Sequence, residues 1–107
     1  MARSPDEVTQ LATQAVAILE QEVPISAAFL FGSHVEGTSH SGSDIDLAIF
    51  TTDESHLCLE EKARLQLHIQ RNCALDLELH LYSARSLGKA RPSNFYGYLL
   101  THGKRLR

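Results

Sequence analysis

The chain has 107 residues and a formal net charge of −3, a length that fits one ordinary domain, residues 1–107, with a core large enough to fold alone. No apolar run approaches the roughly 20 residues that cross a bilayer, and the N-terminus lacks the basic-then-apolar layout of a signal peptide, so a cytoplasmic protein without a membrane role is expected. Cys58 and Cys73 stand far apart with no C-x-x-C pairing, which in a reducing compartment favours free thiols over a bridge or a thiolate metal site.

Ser4-Pro5-Asp6-Glu7 opens the first element, with Ser4 as cap, Pro5 at the first helical position and Glu7 placed to reach back as in a capping box. Val8, Leu11, Ala12, Ala15, Ile18 and Leu19 then recur at three- and four-residue steps, predicting a helix with one apolar face to about Gln21, closed by Pro24. Ile25 to Phe31 is short, continuously apolar and followed by Gly32, the pattern of a strand buried on both faces. A Gly/Ser-rich loop is predicted from Gly32 to Ser43. From Asp44 to Thr51 the pattern first alternates, with Asp44 and Asp46 on one side and Ile45 and Leu47 on the other, and then turns apolar, as in a strand whose first end is exposed.

Asp53, Glu54 and Ser55 can open a second helix, acidic at its start, with Leu59, Ala63, Leu67 and Ile69 as its inner stripe to about Arg71. In "ALDLELHLY" the alternation is strict and predicts a third strand: Leu75, Leu77, Leu79 and Leu81 face one way, Asp76, Glu78 and His80 the other. Ser83 caps a short helical segment, Pro92-Ser93 starts another, and Gly103 ends it. This order describes a small α/β domain with a three-stranded sheet. The sheet is mixed, because the connection between the first two strands is too short for a crossover helix.

All thirteen acidic residues fall at or before Glu78, while Leu79 to Arg107 carries six Lys or Arg and no acid. That segment reads either as solvated surface offsetting an acidic body or as a docking face for an acidic or phosphate-bearing partner. Phe95, Tyr96 and Tyr98 within it have helical spacing, which favours a core role over stacking platforms.

Carboxylates at i and i+2 on a strand project from one face with Cα atoms roughly 6.5 Å apart, close enough to reach one ion or two neighbouring ions. Hard oxygen donors suit Mg²⁺. Asp44 and Asp46 have that spacing, and Gly32-Ser33 directly after a buried strand offers backbone N–H groups and a hydroxyl to an anion. If the two strands pair antiparallel, this phosphate seat and these carboxylates become neighbours, with Asp76 and Glu78 on the third strand available as a further ligand or as a base for an attacking hydroxyl. A loop, a metal pair and a base from three elements fit nucleotidyl transfer. His34 could contact a phosphate or fill a loop position, His40 is expected in solvent, and His80 could orient Glu78 or sit on the rim. Cys58, His68 and Cys73 have no zinc-site spacing.

Gly32-Ser33, ten intervening residues and then Asp44-Ile45-Asp46-Leu47 resembles the G-S-x10-D-x-D signature of the DNA polymerase β-like nucleotidyltransferase superfamily. Gly37, the Ser43-Asp44 junction and "THGKRL" near the end also fit, and the length and run of elements resemble the minimal nucleotidyltransferases (MNT), many of which are antitoxins beside a HEPN-domain ribonuclease toxin. The resemblance covers most of the chain. It implies a small nucleotidyltransferase fold, a mixed three- to four-stranded sheet flanked by helices. It further implies Gly32 and Ser33, with His34 and Ser43 beside them, on the β- and γ-phosphates of ATP, and Asp44, Asp46 and Glu78 on two Mg²⁺ ions. Glu78 is the favoured third carboxylate and Asp76 the alternate.

The implied activity is transfer of a nucleoside monophosphate, AMP from ATP, to a hydroxyl of a HEPN-domain partner protein. The competing reading is a binding module of the same fold that neutralises its partner by occlusion. A nucleic-acid polymerase ranks last, because the body is acidic and no second domain is expected to hold a duplex.

Overall fold

In the computed structural model, which describes residues 3–40 and 42–107, the chain runs α1 (Pro5–Glu20), β1 (Ile25–Phe31), α2 (Ser33–Glu36), β2 (Ile45–Thr51), a 3₁₀ turn (Glu54–Leu57), α3 (Leu59–Asn72), β3 (Leu77–Ser83), a second 3₁₀ segment (Ala84–Lys89), α4 (Phe95–His102) and β4 (Lys104–Arg105). The start of α1 follows from local chemistry. Ser4 Oγ accepts from Glu7 N, Glu7 Oε1 accepts from Ser4 N, and Pro5 needs no donor partner at the first helical position.

The four strands lie in the order β3-β2-β1-β4. β1 runs antiparallel to β2 and to β4, and β2 runs parallel to β3, so the sheet is mixed. One face carries Ala28, Leu30, Ile45, Leu47, Ile49, Leu77 and Leu81 against α1 and α3, with Val8, Ala12, Leu19, Leu65 and Ile69 buried between them. The opposite face carries Ala27, Phe29, Ala48 and Phe50 under Leu99 and the half-buried Phe95, Tyr96 and Tyr98 of α4. Phe29 and Phe50 meet edge to face at 6.0 Å and 88°. The aromatic residues of the C-terminal third are therefore core, as their spacing predicts.

Several details depart from the sequence reading, beginning with a sheet of four strands rather than three. The Gly/Ser loop contains a helical turn, α2, closed by Gly37 at φ 78 in the left-handed region; Ser41 in the same loop lies outside the described residues. The second helix is broken at Cys58, which is both the end of the 3₁₀ turn and the cap of α3. Its inner face is Leu65 and Ile69, whereas Leu59 is 83 % exposed, Leu67 is 49 % exposed and Ala63 is also exposed. Leu75, 81 % exposed, belongs to the turn before β3 rather than to the strand, and the helix expected to start at Pro92-Ser93 begins at Phe95, capped by Asn94 through an Oδ1 that accepts from Gly97 N at 2.9 Å.

Gln66 explains part of the phase of α3. Its amide donates to Leu77 O and accepts from Leu79 N, both at 2.7 Å, so this polar residue faces the sheet and bonds the outer edge of β3. At the other edge the basic tail folds into the sheet. Leu106 N donates to Ala28 O at 2.7 Å, Lys104 Nζ donates to Thr9 Oγ1, Arg105 stacks 5.3 Å over the Phe29 ring, and Arg107 pairs with Glu20. No helix of the described residues is long and apolar enough to cross a membrane.

Candidate active site

The antiparallel pairing of β1 with β2 sets Phe31 opposite Asp46, so the end of the first strand and the head of the second meet as the sequence spacing requires. The parallel pairing of β2 with β3 sets Asp46 beside Glu78 and Ala48 beside His80. Because strand side chains alternate, Asp46, Glu78 and His80 all project from the aromatic face of the sheet, at its otherwise open end. The small Ala48 leaves room for the imidazole to lean toward Asp46. His80 Nε2 stands 3.3 Å from Asp46 Oδ1 and 3.8 Å from Glu78 Oε1, and the Phe31 ring packs edge-on against His80 at 5.1 Å.

Gly32 brings the loop backbone onto this cluster. It sits at φ 86 and ψ −155, a combination open to glycine and to almost nothing else, and a Cβ there would lie 2.4 Å from Asp46 Oδ2. Its carbonyl accepts from Val35 N and Glu36 N, which makes it the cap of α2 and places Ser33 in the first turn. His34 Nε2 is 3.4 Å from Ser43 O, joining the two ends of the loop. Ser43 Oγ accepts from His40 N at 2.8 Å, so that hydroxyl is occupied within the loop, and His40 itself is exposed as predicted. From the far side Tyr98 OH donates to Glu36 Oε1 at 2.7 Å and ties α4 to the end of α2.

The two candidates for a third carboxylate have different surroundings. Asp76, one residue before β3, receives Arg3 Nε at 2.8 Å and Arg3 Nη2 at 3.2 Å, and the guanidinium holds its carboxyl below the usual range. Glu78 lies beside Asp46. Its carboxyl is held above the usual range, first by burial, with the negative charges of Asp46 and Asp44 adding and His80 opposing. The hydrogen bond to Asp46 raises His80, with burial of the ring pulling the other way. Asp44, just ahead of β2, is exposed at the rim.

One donor atom each from Asp46, Glu78 and His80 lie within 4.8 Å of one another. Two carboxylates and an imidazole aimed at one point have the composition of a divalent-cation site, so the residues present fit a metal. Sequence reasoning sets His80 beside Glu78, to orient it or sit on the rim, but assigns it no ligand role, and it does not join Tyr98 to the loop. The only signal for His80 was its place in the alternation with Glu78, and nothing local marks a bond between positions 36 and 98.

Residues 13–91 match the family model described as polymerase beta, nucleotidyltransferase. Protein adenylyltransferase MntA of Shewanella oneidensis is 35% identical over 72 residues, 66% of this chain and 49% of that protein, so the chain spans about half the length of this curated relative. Among solved structures, a toxin–antitoxin complex with AMP-PNP superposes with TM-score 0.63 at 28% identity, covering 89% of this chain and 72% of that one. A crystal structure from Sulfolobus solfataricus, assigned as a nucleotidyltransferase, superposes with TM-score 0.59 at 15% identity, covering 83% of this chain and 82% of that one, a likeness of fold.

Proposed function

The chain belongs to the polymerase β nucleotidyltransferase family, and from that premise we propose that it transfers AMP from ATP to a hydroxyl of a partner protein and acts as the antitoxin of a HEPN-type toxin. The observation that carries this reading is the junction of three elements at one point: the Gly32 backbone against Asp46, with Glu78 on the adjoining strand. The relative named a protein adenylyltransferase and the neighbour bound to AMP-PNP in a toxin–antitoxin complex support the donor and the kind of partner.

In the proposed reaction the backbone at Gly32 and the Ser33 hydroxyl hold the β- and γ-phosphates, with His34 and Ser43 at the ends of the loop. Asp44, Asp46 and Glu78 would hold Mg²⁺, which supplies positive charge against the triphosphate when bound. The acceptor hydroxyl oxygen attacks the α-phosphorus, the bond from that phosphorus to the bridging oxygen breaks, and pyrophosphate leaves. Glu78, whose carboxylate is made more basic by desolvation and by the neighbouring charge of Asp46, receives the hydroxyl proton. Asp76, neutralised by Arg3, has no call on that proton.

The test is to incubate the chain with a candidate HEPN-type partner protein and with ATP labelled at the α-phosphate. Label on the partner with wild type, lost with Asp46→Asn, supports the reading. Unlabelled but neutralised partner would replace it with neutralisation by occlusion.

A further inference from the structure

We propose that His80 is a metal ligand, and that the mixed site of Asp46, Glu78 and His80 selects a borderline divalent ion, of the Co²⁺ or Zn²⁺ kind, over Mg²⁺. The inference rests on the proposed function in one respect, that the cluster holds a divalent cation. It departs from it on which atoms hold that ion and which ion they hold.

The separations support a shared ion. Ligand atoms adjacent around a small divalent cation, with bonds of about 2.0–2.2 Å, stand about 3.0–3.5 Å apart. His80 Nε2 and Asp46 Oδ1 are 3.3 Å apart, His80 Nε2 and Glu78 Oε1 are 3.8 Å apart, and all three donor atoms lie within 4.8 Å of one another. The imidazole reaches the cluster from a rigid place. His80 is inside β3, opposite Ala48, with the Phe31 ring packed edge-on at 5.1 Å. On the other side the Asp46 carboxylate lies close against Gly32, in the space a Cβ would need. The ring nitrogen is therefore offered beside the two carboxylates by the strand register itself, rather than by a mobile side chain that happens to lie near.

Donor chemistry then decides the ion. Mg²⁺ takes oxygen ligands almost without exception and keeps several waters, whereas imidazole is a ligand of the later first-row ions. Exchanging one oxygen donor for a ring nitrogen lowers the relative standing of Mg²⁺. Among Asp46, Glu78 and His80 one donor in three is nitrogen, and Asp44 at the exposed rim would add one oxygen donor if it joined them.

The experiment is a calorimetric titration of the folded chain with Mg²⁺ and with Co²⁺, for wild type, His80→Asp and His80→Gln, together with the visible absorption spectrum of the Co²⁺ form. The expected result is that the Co²⁺:Mg²⁺ affinity ratio falls about tenfold in both variants. His80→Asp is also expected to keep or raise Mg²⁺ affinity, and the Co²⁺ spectrum to change as the nitrogen ligand is lost. Melting curves without metal identify a variant that has failed to fold, and the spectrum of whichever variant folds decides the matter. An unchanged ratio and spectrum would overturn the assignment of His80 while leaving a Mg²⁺-dependent transferase intact. No binding of either ion to wild type, with or without ATP, would overturn both the assignment and the metal part of the proposed function.

Discussion

Gly32→Ala tests the contact on which the whole cluster depends. The backbone at position 32 lies at φ 86 and ψ −155, where any L side chain is strained by about 1–3 kcal/mol. The new Cβ would also stand 2.4 Å from Asp46 Oδ2, a clash relieved only by turning the carboxylate off its rotamer, at about 0.5–1.5 kcal/mol. Together these amount to about 1.5–4.5 kcal/mol, or roughly 6–36 °C in Tm for a domain of this size. The assay is thermal denaturation of Gly32→Ala in two backgrounds, wild type and Asp46→Ala, completing a double-mutant cycle. With the carboxylate gone the backbone strain remains but the clash does not, so the loss in the second background is expected to be smaller by about 1 kcal/mol, roughly 4–8 °C. Equal losses in the two backgrounds would refute the contact, and no loss in either would refute the backbone argument as well.

Glu61 is held at about 2, below its ordinary 4.5, first by the bond from Arg64 and then by His56. A carboxyl depressed in the folded state contributes stability that is fully present above 4.5 and is lost as pH falls toward 2. Urea midpoints of Glu61→Gln should accordingly vary less than those of wild type across that window; parallel pH profiles would remove the argument. Gly97→Ala places a Cβ 1.8 Å from the Arg91 carbonyl oxygen, so α4 must shift, with an expected loss of about 1–3 kcal/mol and a weaker near-ultraviolet dichroism from the aromatic cluster. Tyr98→Phe removes the hydroxyl that ties α4 to Glu36 and should cost about 0.5–1.5 kcal/mol, with faster amide exchange confined to α2. Exchange quickening evenly over the chain would mean that the bond does not secure the loop.

What the sequence made legible was set by short-range chemistry. The Ser4–Glu7 capping box, the apolar run Ile25 to Phe31 with its terminal glycine, and the pairing of Asp46 with the end of β1 all follow from neighbouring residues or from the length of one connection. The stripe on α3 was misread because Leu59, Ala63 and Leu67 form an apolar row of their own, while the side that packs is defined by Leu65, Ile69 and a glutamine bonding to a strand. Apolar periodicity cannot register a polar residue turned inward for its hydrogen bonds. α2 has a single turn, and only Gly37 marks its end. β4 has two residues, too few for any alternation. The six cations of the C-terminal segment read as one patch, yet Arg105 lies over Phe29 and Arg107 on Glu20, contacts made across the sequence that no local pattern encodes. The alternation set His80 beside Glu78, but its 3.3 Å approach to Asp46 is fixed by strand register and has no local signal.

The inward glutamine of α3 has a consequence for quaternary behaviour. β3 is an outer strand, and such strands can recruit a strand from another molecule through their free amides and carbonyls. Gln66 stands where that visiting strand would bond, occupying Leu77 O and Leu79 N from within the same chain. Its amide thereby satisfies two of the edge groups that a visiting strand would need, on the strand that also carries Glu78 and His80. Gln66→Leu would keep the bulk and remove those bonds, leaving the two backbone groups to be met by water or by a second copy. The oligomeric state of that variant would then rise with concentration in sedimentation, and any pairing along β3 would press from its outer side on the strand that carries Glu78 and His80.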